Sequence, residues 1–310
     1  MSEPRMKLVV TADDFGYCPK RNQGIVESFL AGGVSSTSLL VNASAAREAA
    51  DLARRHNIPI GLHANLSEGI PVCQDLQQVS TLINQRGFFH GKMGVRHVLE
   101  EGQLDLKQVE LELRAQVRLF TKLTGHLPRH VDGHQHVHVL PEVCEVFAHV
   151  LSDLKIPFTR VPLEKGLNSA PRLPPHIQAF HTLVENDALN AIPVFTHYGL
   201  RWPNMFLGVT TMGQNLSISN LQRALSHALV VGPSGTDGSS SLVCDPPVVT
   251  AELMVHPGYP SDAHEGGCGE GPDSFSQSAD RQHELDVLTQ PSLLAFYRQH
   301  RIRVCVFQDF

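Results

Sequence analysis

The chain has 310 residues, 42% of them hydrophobic and 18% charged, which is the balance of an ordinary globular protein and excludes a disordered one. Lys and Arg number 25 against 31 Asp and Glu, and no basic stripe is visible, which argues against nucleic acid or an anionic membrane as main partner. Six cysteines lie scattered without a Cys-x-x-Cys pair, as in a reducing compartment, and no apolar run approaches the ~20 residues that span a bilayer. With no signal-like segment before the first strand, a soluble, intracellular and cytoplasmic protein is expected.

Strand-like and helix-like segments alternate along the chain. Lys7 to Val10 reads as a buried strand, 19–31 as a helix, and Ser38 to Val41 as a second strand. The segment 44–56 is strongly helical, with Ser44 as its N-cap. Ile58 to His63 is a third strand, followed by a long irregular connection from 64 to about 103. Leu106, Val109, Leu113, Val117 and Phe120 then fall on one helical stripe within 105–123.

Strands are expected near 129–133, 157–162, 204–209 and 250–256, with helices near 141–152, 176–191, 217–230 and 291–300, and a last strand at 303–307. Eight strands separated mostly by helices predict parallel pairing: an α/β fold, one irregular TIM-like (β/α) barrel filling residues 1–310. A Pro-rich loop covers 171–175, and the Gly/Ser-rich stretch 232–241 reads as a disordered surface insert. The stretch Gly266 to Asp280 reads as a loop able to act as a lid.

The chemistry gathers where these strands run out, the functional edge of a parallel α/β sheet. Asp13 and Asp14 stand side by side in Thr11-Ala12-Asp13-Asp14-Phe15-Gly16. Adjacent carboxylates repel unless a cation, a proton or a substrate compensates them, and strand neighbours point to opposite faces, so they can share a site only where the strand is ending. Asp14 is read as a metal ligand and Asp13 as the base. The competing reading is that one of them caps the helix beginning near Pro19.

Histidines mark three further strand ends among the 18 in the chain: His63, the run His134-Gln135-His136-Val137-His138, and His256. A lone histidine is more often a buried ring bonded to a carbonyl than a ligand; several on one rim, with carboxylates, point to a divalent metal and a hydrolytic water. In an extended segment His134, His136 and His138 project the same way, and one ligand with substrate-contacting neighbours is the economical arrangement. Asp132 is placed to orient an imidazole, and His138 is assigned to structure. His256, before Pro257-Gly258, suits a general acid, with a fourth metal ligand as the alternative. Arg201-Trp202 and Tyr259 are candidates for a sugar-stacking wall, with a core position an equal alternative for the lone Trp. His181, His197, His227 and His283 read as surface or packing residues.

These motifs, in this order from Leu8 to Phe307, resemble the YdjC-like carbohydrate deacetylases, a family that includes bacterial chitooligosaccharide deacetylases. The residues that carry it are Thr-Ala-Asp-Asp-Phe-Gly, Gly-Leu-His-Ala-Asn-Leu, His-Val-Asp-Gly-His-Gln-His-Val-His and Glu-Leu-Met-Val-His-Pro-Gly-Tyr. The resemblance implies an irregular (β/α) barrel, one divalent ion with magnesium ahead of zinc, and removal of an acetyl group from an N-acetylated sugar. By position it implies Asp14, His63 and His134 as metal ligands, Asp13 as base and His256 as acid; the reading of His136, Tyr259 and Trp202 toward substrate rests on residue type and placement alone. The insert at 232–241 and the sparser histidine run at Gly133-His134-Gln135 depart from the bacterial pattern and leave the sugar open.

The expected partner is an acetylated carbohydrate, with a homodimer left open. The rival readings are a non-catalytic carbohydrate-binding barrel and another metal-dependent hydrolase, a phosphoesterase or a lactam-opening enzyme. Phosphoesterases need more cationic charge than Lys92, Arg129, Arg160 and Arg201 on plausible rim loops supply.

Overall fold

The computed structural model describes residues 3–164, 173–231 and 248–310. The insert at 232–241 and part of the Pro-rich loop lie outside those residues. Seven strands are seen among them, all parallel, in a sheet that curls into a half-barrel with the helices packed around it. They are β1 (Met6–Phe15), β2 (Ser36–Leu39), β3 (Ile60–Ala64), β4 (Val131–Gly133), β5 (Met205–Leu207), β6 (Val249–Val255) and β7 (Ile302–Val304). The spatial order is β4-β3-β2-β1-β6-β5, with β7 also on β1. β1 is the hub: β6 pairs with it from Met6 to Ala12, β7 from Met6 to Leu8, and β2 from Thr11 onward.

The expected strand at 157–162 is absent as a strand. Single parallel bridges stand there instead, Val131 with Thr159 and Phe158 with Arg201, and they carry the curl onward from β4. The fifth of the eight predicted strands therefore corresponds to an irregular wall, where Pro157 and Pro162 remove two of the N–H donors a ladder needs.

The helices follow local chemistry. In α1 (Pro19–Leu30) proline occupies the first turn, where no N–H is needed, and Cys18 caps it by accepting from the Arg21 N–H. In α4 (Leu106–Thr124) Asp105 is the N-cap and Gly125, at φ 85°, ends the helix, while Val109, Leu113, Val117 and Phe120 face the core. Ser44 does not cap α2 (Ala46–His56): its hydroxyl donates to the Tyr17 carbonyl, and Ala45 stands at the cap. The connection after β3 is not wholly irregular, because α3 (Gly91–Glu100) lies within it; two glycines in its first turn mask the helical signal. The remaining helices are α5 (Val143–Asp153), α6 (Pro175–His197), α7 (Ile218–Val231), α8 (Asp280–Leu288) and α9 (Pro291–Gln299). No helix among the described residues is long and apolar enough to cross a membrane.

One apolar core runs from β1 outward to α2, α4, α5 and α6. At Gly61 on β3 the packing leaves no room for a side chain, since an added Cβ would lie 2.3–2.6 Å from the His130 ring. That ring is buried and stacked on Phe307 at 4.2 Å. We expect Gly61→Ala to cost about 1–3 kcal/mol, as overpacked cores do. Urea unfolding reads this as a lower midpoint; an unchanged midpoint would mean that His130 can step aside.

Candidate functional site

The site forms at the C-terminal ends of the parallel strands. Asp13 and Asp14 stand where β1 is ending, as expected, at a break in register with β2 between Ala12 and Phe15. Asp14 takes φ 63°, in the left-handed region, so the usual alternation fails there. This irregularity lets both carboxylates turn to the same side, at a conformational cost that recurs at functional sites. Neither caps α1, whose cap is Cys18. Strand register brings in the rest: His63 on β3 pairs directly with Asp132 on β4, and Ala12 pairs with Val255, which sets His256 beside the acidic pair.

The two carboxylates face different partners. Asp14 Oδ1 lies 3.2 Å from His134 Nδ1 and 3.5 Å from His63 Nε2. All three side chains are buried, and their nearest ligand atoms fall within 4.8 Å of one another. Each imidazole is oriented through its other nitrogen. His63 Nδ1 donates to Asp132 Oδ1 at 2.6 Å, and His134 Nε2 donates to Glu68 Oε2 at 2.9 Å. A carboxylate on the far nitrogen is the usual support of a metal-binding histidine, and it turns the remaining nitrogens toward Asp14.

Burial lowers the affinity of His134 for a proton, but its bonds to Asp14 and Glu68 prevail and carry its pKa to about 10. Asp14 is held well below the carboxylate range despite burial, by His134 and by the fields of His256 and His63. The pocket is thus built for positive charge, and one carboxylate with two imidazoles fits a divalent cation. That donor set stands between the oxygen-rich sets that suit magnesium and the imidazole-rich sets that suit zinc.

Asp13 faces Arg160, which by sequence counts only as one of four cations on plausible rim loops. Arg160 is fully buried and donates to both Asp13 oxygens, at 2.7 and 2.8 Å. It also reaches Asp132 at 3.0 Å and Glu252 at 2.8 Å. One guanidinium cannot neutralise three carboxylates. Burial therefore raises Asp13 and Glu252 against the pull of Arg160, whereas Asp132, with His63 and His130 also nearby, falls well below its ordinary range. The histidine run offered no signal for Arg160; its place in the wall after β4 was visible only in three dimensions.

A cavity of about 140 Å³ opens over these groups. Asp13, Asp14, His63, His134, His136 and His256 line it, together with Lys92, Phe180, His181 and Phe275. His256 Nε2 lies 4.0 Å from Asp13 Oδ2. The segment 134–138 is not extended: Gln135 and His136 are left-handed, at φ 52° and 59°, so its three histidines diverge. His138 bonds the Arg160 carbonyl and stacks on Phe195, while His136 turns to the cavity near His181. His181, read as a packing residue, is buried in the cavity wall.

Trp202 and Tyr259 do not line the cavity. Trp202 packs edge-on against Phe195, and the Tyr259 hydroxyl donates to Glu27, so the expected stacking wall is not formed by these residues. Phe180 from α6 and Phe275 supply aromatic wall instead. Phe275 comes from the loop at 266–280, which hydrogen bonds pin to Tyr17 and Ser44.

The fold and its strand-end cluster of acids and imidazoles define an α/β protein with a metal-type site. The family model described as YdjC-like protein matches residues 7–299, and the chain belongs to that family. It is 59% identical to a carbohydrate deacetylase of Danio rerio across all of both chains. It is 31% identical to a chitooligosaccharide deacetylase of Serratia marcescens, over 97% of this chain and 98% of that one. Among solved structures it is similar in fold to a protein of Enterococcus faecalis V583 provisionally described as a cellobiose-phosphate cleavage protein. The TM-score is 0.71 at 22% identity, with 99% of each chain covered.

Replacing Arg160 tests the charge arrangement. Arg160→Met strands three buried carboxylates and is expected to cost about 3–5 kcal/mol of stability, as breaking a buried ion cluster does. Arg160→Lys should recover part of this, because a point charge cannot grip Asp13 with two parallel bonds. Chemical denaturation of the three proteins measures both; equal stability of the Met variant would show the carboxylates to be protonated and self-sufficient.

Proposed function

We propose that this protein is a metal-dependent hydrolase that removes the acetyl group from N-acetylated sugars, releasing acetate. One observation carries the reading: adjacent carboxylates are divided between a buried guanidinium and a pair of carboxylate-supported imidazoles, at the floor of a cavity with an aromatic wall. The carbohydrate deacetylase names of relatives that match over their whole length agree with it.

A divalent cation held by Asp14, His63 and His134 would supply Lewis acidity, polarising the acetyl carbonyl and acidifying water. Asp13 accepts the proton of the attacking water. Burial lifts its carboxyl above the ordinary range against the pull of Arg160, which suits a base better than an ordinary aspartate. The bidentate bonds from Arg160 fix the plane of that carboxylate, and Oδ2 lies between His63 and His256, at 3.9 and 4.0 Å.

His256 delivers a proton to the departing sugar nitrogen, because an unprotonated amide nitrogen leaves poorly. Burial holds its imidazole well below the histidine range, with Asp14 opposing and Arg281, Arg21 and Arg160 reinforcing, so the ring is neutral at rest. The proton it gives is therefore the one Asp13 has taken from water. Amide and water become acid and amine with no external proton. His136 and His181 face the sugar side of the cavity, and Phe180 and Phe275 offer faces for a ring.

The test is a panel of N-acetylated sugars and an aryl phosphate, reading acetate and phosphate with and without chelator, after elemental analysis of the purified protein. Acetate release that the chelator abolishes is expected. Phosphate release would favour a phosphoesterase, and sugar binding without acetate a non-catalytic barrel. Asp14→Ala should lose bound metal and turnover together, whereas Asp13→Asn should keep the metal and lose about 10²–10⁴ in kcat. Near-full activity of Asp13→Asn at saturating metal would remove Asp13 from the role of base.

A further inference from the structure

The imidazole of His256 has little to fix it directly. Its Nδ1 is buried without a hydrogen-bond partner among the described residues, and the ring meets the Phe275 ring edge-on at 5.1 Å. Its backbone, by contrast, is gripped from both sides. The carbonyl accepts from Arg21 Nη1 at 3.1 Å and from Arg281 Nη1 at 3.2 Å. The N–H donates to Glu284 Oε2 at 2.5 Å, and Glu284 Oε1 accepts from the Gly213 N–H at 2.7 Å and Arg281 Nη2 at 3.2 Å.

This is more than backbone satisfaction requires. One donor satisfies a carbonyl, yet here two guanidiniums and a carboxylate are buried to hold the backbone of one residue, each at a desolvation cost. The Arg281 guanidinium also lies 3.8 Å from the centroid of Phe275, so one arginine holds both the His256 backbone and the ring against its imidazole. Arg21 Nη1 stands 3.9 Å from Asp14 Oδ2, which ties the same peptide to the acidic pair. No slack remains between α1 and the Pro257-Gly258 turn: a Cβ on Gly24 would fall 2.4 Å from the Gly258 Cα.

We propose that Arg281 and Glu284 are positioning residues, which fix the His256 imidazole over Asp13 through its backbone and through Phe275 and so give it reach to the departing nitrogen. The inference rests on the deacetylase reading with His256 as acid. A misplaced acid penalises poor leaving groups and spares good ones, because an activated leaving group departs without a proton. A purely structural role costs both alike.

The experiment compares wild type with His256→Ala, Arg281→Lys, Glu284→Gln and Phe275→Leu on an N-acetylated glucosamine oligomer and on 4-nitrophenyl acetate. Metal content and melting temperature are recorded for each protein. On the oligomer, Arg281→Lys and Glu284→Gln should lose about 10–100-fold in kcat with little change in KM, part of what a general acid contributes. Loss on the ester should be several-fold smaller. Phe275→Leu leaves the backbone grip intact at a partly exposed position, and it decides the matter if the buried variants do not fold. In kcat at saturating substrate it should show the same leaving-group dependence more weakly, whereas loss of its contact with the sugar alone would raise KM and leave kcat unchanged.

Equal loss on both substrates for His256→Ala would overturn the acid reading and this inference with it. If His256→Ala discriminates between the substrates while the other variants do not, the acid reading stands and the positioning role is refuted.

Discussion

Four carboxylates, Asp13 and Asp14 near the end of β1, Asp132 on β4 and Glu252 within β6, are gathered with almost no access to water, and their mutual repulsion organises what surrounds them. In a medium of low polarity each ionised group must be paired or must take up a proton. The fold answers with the buried Arg160 guanidinium, with two imidazoles, and with Arg21 at 3.9 Å from Asp14. Such burial adds little net stability, since desolvation offsets the attraction within the pairs. What it does give is a division of labour between two neighbouring acids.

That division depends on one backbone irregularity. On a regular strand Asp13 and Asp14 would face opposite sides, one inside the barrel and one against the helices. The left-handed Asp14 puts both inside but at different depths. Asp13 points down to Arg160 and keeps a raised proton affinity, while Asp14 points toward His63 and His134 and keeps its charge. On the proposed reading the deeper acid handles the proton and the outer one the cation. Each is tuned by its own partners, and the two partner sets meet at Asp132, which bonds both Arg160 and His63.

Much of this was legible from local chemistry. The alternation of apolar strands and amphipathic helices predicts a parallel α/β fold, and acids or histidines at strand ends then fall on one rim. Asp13, Asp14, His63, His134 and His256 do line one cavity. What escaped has physical reasons. Arg160 sits in a segment with almost no ladder, and its role arises from three acids distant in sequence. Glu68 and Phe275 lie in loops whose paths no periodicity encodes. Trp202 has the residue type of a sugar platform, but core packing claimed it, and Phe180, on an unremarkable helical face, stands at the cavity instead.

The sequence by itself determined the class of fold, the family and the residue types at the strand ends, because hydrophobic period and short motifs are local properties that survive without a structure. The tertiary structure decided which acid faces which cation, which imidazoles share a point and which aromatic rings form the wall. Those are matters of register, of one left-handed residue and of contacts between segments far apart in the chain, 147 positions for Asp13 and Arg160 and 235 for Arg21 and the His256 carbonyl. Charges in a dry interior act over a few ångströms, and only the folded chain sets distances on that scale.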